Sequence, residues 1–215
     1  MLKVLVFDSG YGGELLADYL EEEIPTIDII RVIDWRNAES LQNRAHKAKQ
    51  LAEEALRPYF GRVDLIIFAN YLISHTCLGY FKRKYKNQKF VGISFCNPRA
   101  ELNRKTLILT TKAVSKTWDY VFFANRHKAK TCILNDWPIL IDDGELGNAK
   151  MRRDLKPVLN YKPKQIVLGC AQFSDLKPEL SRLFGRDTRL IDNFDIVLNE
   201  TVKALRIRGG LKKRD

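Results

Sequence analysis

The 215-residue chain has no run approaching the roughly 20 apolar residues that a bilayer-spanning helix needs. Its four cysteines, Cys77, Cys96, Cys132 and Cys170, form no CxxC pair, and His46, His75 and His127 show no ligand spacing. A structural zinc site is therefore not expected, and no metal is assigned. Nor is a disulfide framework expected in a chain of this size, so the thiols are read as reduced. The apolar start MLKVLVF meets Asp8 and lacks a cleavage site, which makes it a first strand rather than a leader. A cytoplasmic protein without membrane attachment is the resulting expectation. Low-complexity linkers and solenoid repeats are absent too.

Negative charge is also in short supply. Lys and Arg number 37 against 26 acidic residues, for a net charge of +11. Much of the excess lies in KRKYKNQK (82–89) and RIRGGLKKRD (206–215). A basic surface attracts nucleic acid, acidic membranes or anionic metabolites. However, the first cluster reads as the solvated end of a helix, where cations suit the dipole, and the second as a frayed terminus. No recognition motif accompanies them, which weighs against nucleic acid as a partner. The 45% hydrophobic and 29% charged content is that of a globular chain able to bury a core.

What is present is an alternation of strands and helices. Strand-like runs occur at 2–7, 27–33, 63–69, 89–95, 105–110, 130–134, 165–169 and 188–192, and helical stretches at 14–24, 40–60 and 175–184. Several runs are apolar throughout, as in strands buried on both faces of a parallel sheet. The fold class is α/β with covered sheets. In such sheets ligands gather beyond the carboxyl ends of the strands. That rule selects Asp8, Ser9, Asp34, Asn70, Cys96, Thr110, Thr111 and Cys170.

FDSGYGG (7–13) follows the first strand, its glycines permitting a tight turn into a helix. The string resembles the FDSG-x-GG signature of glutamate racemases, in the aspartate/glutamate racemase superfamily. VDLIIFAN resembles the strand entering that family's Cys-Asn-Thr motif, and LTTKAVSKTWDY its threonine-rich segment. PILIDDGE resembles its acidic turn, and VLGCAQF the strand entering Cys-Thr-His. The resemblance implies two pseudo-symmetric three-layer α/β lobes with mainly parallel sheets and an active site in the cleft between them. Residues 1–95 plus 190–215 would form one lobe and 96–189 the other. It also implies cofactor-independent chemistry on a small acidic carboxylate or amino acid. One thiolate removes the α-proton and a second thiol protonates the opposite face. A homodimer is possible.

The departures from that pattern are specific. Ala69 stands where the first cysteine belongs, Tyr71 replaces the motif threonine, and Val114 replaces a carboxylate-binding threonine. DWRNAES follows the second strand in place of Pro-Tyr-Gly, and Ala171-Gln172 follows Cys170 in place of Thr-His. Cys170 is the candidate acid/base, with Asp8, Ser9, Asn70, Thr111 and Gln172 as substrate-binding candidates. Cys96 is the candidate second thiol, since Asn97-Pro98 suits a helix start that would stabilise its thiolate. Cys77 reads as helix packing, His75 as a helix-surface residue and Cys132 as core. Three functions stay open. One is an isomerase or one-cysteine decarboxylase of this superfamily, which includes the arylmalonate decarboxylases. Another is an inactive pseudo-enzyme that binds an anionic metabolite or partner, and the last is a nucleic-acid-associated protein.

Overall fold

A computed structural model describes residues 1–38, 40, 45–95 and 99–207. The chain divides into two units, Met1–Ser94 with the segment from Phe194 onward, and Phe95–Asn193. In the first, β1 (Leu2–Asp8), β2 (Ile27–Ile33), β3 (Leu65–Phe68) and β4 (Phe90–Gly92) form a parallel sheet in the order β2-β1-β3-β4. Helices α1 (Gly12–Glu23), α2 (Ala45–Leu56) and α3 (Tyr71–Lys84) connect the strands, and α8 (Phe194–Leu205) returns to this unit. In the second, β5 (Thr106–Thr110), β6 (Lys130–Ile133), β7 (Gln165–Leu168) and β8 (Arg189–Ile191) are parallel in the order β6-β5-β7-β8. Its helices are α4 (Trp118–Arg126), α5 (Trp137–Asp142), α6 (Asn148–Leu159) and α7 (Lys177–Phe184). Both sheets thus repeat one strand permutation.

The apolar runs become central strands because both of their faces are covered. Val4–Phe7 and Leu65–Phe68 are wholly buried. Ala48, Ala52 and Leu56 recur every four residues on α2 and lay one helical stripe against the sheet. That helix stops at Leu56 because Pro58 lacks an amide hydrogen and disfavours a helical residue before it; Arg57–Tyr59 is a 3-10 turn instead. In the second unit, Leu107, Leu109, Ile166 and Leu168 pack with Trp137, whose indole N–H donates to Asp154 at 3.0 Å. Arg189–Ile191 pairs with β7, so the chain leaves this unit only after Asn193, later than residue 190. Among the described residues, no helix is long and apolar enough to cross a membrane.

Candidate active site

In each parallel sheet the carboxyl ends of the strands converge on one rim. On the first rim, Asp8 and Ser9 are each 1% exposed at the end of β1, and the Ser9 amide donates to Asp8 Oδ1 at 2.5 Å. The glycines of FDSGYGG have a concrete purpose here. A Cβ on Gly13 would lie 2.5 Å from Asp8 Cβ and 2.7 Å from Ile33 Cδ1, so only glycine lets α1 start this close to the strands. Asn70, at the N-cap of α3, accepts from the amides of Leu72 and Ile73 at 3.0 and 3.2 Å. Its own amide reaches Ser9 Oγ at 3.4 Å. Asp8, Ser9 and Asn70 therefore come together, but the Asn70 carbonyl is already committed to the helix. Asn70→Ala is expected to cost about 1 kcal/mol of stability through the lost cap, measurable by urea denaturation.

Ala69, fully buried between β3 and that cap, presents only a methyl group. Neither neighbouring titratable residue replaces a thiol there. His75 is exposed on α3, where it stacks with Tyr71 at 6.3 Å. Cys77 is wholly buried, and desolvation pushes its thiol up to about 12. Cys96 lies outside the described residues.

On the second rim, Cys170 follows β7 in extended conformation and opens the 3-10 turn Ala171–Leu176. Its thiol is half-buried and donates to Gln172 Oε1 at 2.9 Å, and Gln172 is itself 3% exposed. The bond uses the S–H form. A thiolate would instead need the amide NH2 of Gln172 turned toward sulfur. Gly169 matters here as Gly13 does on the first rim. A Cβ on it would sit 2.7 Å from Thr110 Oγ1 and 3.0 Å from Leu109 O, so glycine brings the Cys170 turn down onto the end of β5. Thr111, the residue after Thr110, is half-exposed, and its hydroxyl accepts the Val114 amide at 3.4 Å.

Sequence reasoning missed one residue of this rim. Asp192, at the end of β8 and 7% exposed, is ion-paired with Lys177 at the start of α7. The strand-end rule that selected Asp34 could have found it. Cys132 is buried, its thiol raised first by desolvation and then by the charge of Asp154. Iodoacetamide mapped by mass spectrometry is accordingly expected to modify Cys170 in the native protein well before Cys77 or Cys132. Among the described residues, no three His, Cys, Asp or Glu side chains are grouped so as to hold a metal ion.

No protein-family model matches the chain. Among solved structures, Escherichia coli glutamate racemase, crystallised with L-glutamate and the activator UDP-MurNAc-Ala, aligns with a TM-score of 0.84 at 22% identity. That alignment covers 100% of this chain and 86% of the other. Picrophilus torridus aspartate racemase aligns at 0.63 with 14% identity, over 99% and 96% of the two chains. The chain shares the fold of these racemases. By sequence it is similar to the glutamate racemase of Buchnera aphidicola, 22% identical over 217 aligned positions that cover 93% of this chain and 84% of that relative.

Proposed function

We propose that this protein binds a small acidic carboxylate, of the class of glutamate or aspartate, and that Cys170 moves a proton on one face of its α-carbon without a cofactor. The supporting observation is the asymmetry of the two rims. Cys170 is held by Gln172 at a strand end, while its counterpart in the first sheet by strand register, Asn70, is a helix cap that carries no acid or base. Asp8, Ser9, Asn70, Thr111 and Gln172 recognise the substrate in this reading. Glutamate racemase relatives along nearly the whole chain, one of them solved with L-glutamate, support the substrate class.

One thiol gives a defined stereochemical consequence. The Cys170 thiolate takes the α-proton and becomes S–H, and the electron pair stays on the substrate as an enolate. The thiol exchanges with solvent and returns a proton to the same carbon from the same side. Racemisation needs a second acid on the other face; exchange with retention does not. The test incubates L- and D-glutamate and L- and D-aspartate with the protein in D2O and reads Cα–H by NMR and configuration by chiral chromatography. Deuterium incorporation with retained configuration is expected. Equal appearance of both enantiomers would overturn the one-thiol reading. Thermal stabilisation by these acids without any exchange would favour the alternative, a catalytically inactive binder, which the loss of both the first cysteine and the second-motif histidine also favours.

A further inference from the structure

The opposite end of the second sheet, remote from Cys170, carries a row of cations. The strand starts bring together four residues that are scattered in sequence: Lys130 at β6, Lys105 before β5, Lys164 before β7 and Arg189 at β8. They follow the spatial order of the strands, and all four are exposed. The inner members are tied through the main chain, Lys164 N donating to Lys105 O at 2.8 Å and Arg189 N to Lys164 O at 3.1 Å. With strands about 4.8 Å apart, the row is about 14 Å long. Lys105 and Lys130 both sit over the ring of Tyr161, with Nζ at 4.5 and 5.3 Å from its centroid, and Lys162 follows in the chain.

The charges on this row are poorly compensated. Arg189 shares the Glu101 carboxylate with Arg104. Among the described residues, Lys105, Lys130, Lys162 and Lys164 have no ion pair. A helix dipole does not account for the row either, because its members stand at strand starts. Like charges held this closely repel, and a partner bearing regularly spaced negative charge relieves that repulsion. No exposed apolar side chain lies within the row, Leu102 and Ile133 being the nearest along the chain at three residues from Lys105 and Lys130, so the row lacks the anchor of a membrane-inserting surface. We propose that this amino-end row docks the phosphate backbone of duplex nucleic acid without sequence preference. The function proposed for Cys170 is independent of this surface.

Binding of a fluorescein-labelled 30-base-pair DNA duplex, followed by anisotropy from 50 to 200 mM NaCl, tests the proposal. Each phosphate neutralised contributes about −0.9 to the slope of log K against log salt, so the row predicts a slope of about −3 or steeper. The triple variant Lys105→Gln, Lys130→Gln, Lys164→Gln should lose two to three units of that slope, whereas the three Lys→Arg changes should preserve it. The control, Lys82→Gln, Arg83→Gln, Lys86→Gln, alters an exposed basic segment of the first unit and should leave the slope unchanged. A wild-type slope shallower than about −2 overturns the proposal. So does an undiminished slope in the Gln triple variant, or an equal loss in the control. Adsorption to phosphatidylserine vesicles without duplex binding overturns it as well.

Discussion

Cys170→Ser is expected to lower deuterium incorporation at the substrate Cα by about 10²–10⁴-fold, the range by which a positioned acid/base group contributes to proton transfer. A serine hydroxyl preserves the size and hydrogen-bonding capacity of the side chain but is not ionised at neutral pH, whereas a thiol ionises near pH 8.5 in model compounds. The hydroxyl can still donate to Gln172 Oε1 as the thiol does, so the turn Ala171–Leu176 should keep its form. The variant therefore separates chemistry from architecture. Stabilisation of the folded protein by glutamate or aspartate should persist while exchange disappears. If exchange in the variant stays within threefold of the wild type, Cys170 is not the acid/base.

How much of this was legible in the sequence follows from what each residue does. Strands β1 and β3 were legible because they are apolar almost throughout, as strands covered on both faces are. Cys170 was legible as a strand-end residue, as was the cluster of Asp8, Ser9 and Asn70. The reason for Gly13 and Gly169 was not, since each glycine answers an atom brought near by folding: Asp8 Cβ and Ile33 Cδ1 for one, Thr110 Oγ1 for the other. Asn70 illustrates a different limit. A motif asparagine and a helix cap look identical in sequence, and the bonds to Leu72 and Ile73 show that this one is at least a cap. The basic row was the least legible. The sequence drew attention to contiguous Lys82–Lys89, whereas the row is assembled by parallel pairing of strands that start more than twenty residues apart in the chain.

The other large effect is expected in the core beneath the first rim. Phe68 closes β3, is fully buried and lies directly before Ala69 and Asn70. Its ring meets Phe7 edge-on at 6.1 Å, Phe81 at 5.3 Å and Phe90 in a nearly parallel arrangement at 6.0 Å. One side chain thus joins β1, β4 and α3, each aromatic pair adding about 0.5–1.5 kcal/mol beyond area burial. Phe68→Ala removes these contacts and leaves a cavity, at a cost of about 3–5 kcal/mol. Domain stabilities run at about 5–15 kcal/mol, so the first unit should lose much of its margin. Trp137, fully buried in the second unit, provides a separate reporter. In urea, the far-UV circular dichroism transition of Phe68→Ala should begin at clearly lower denaturant than the wild type. The Trp137 fluorescence transition, isolated in a background where Trp35 and Trp118 are replaced by Phe, should shift less. Equal shifts of both signals would mean that the two units unfold as one cooperative block, and an unshifted dichroism curve would mean that the Phe68 cluster does not hold the first sheet together. Since the same backbone positions Asp8, Ser9 and Asn70, loss of glutamate-induced stabilisation should track the dichroism transition rather than the Trp137 signal.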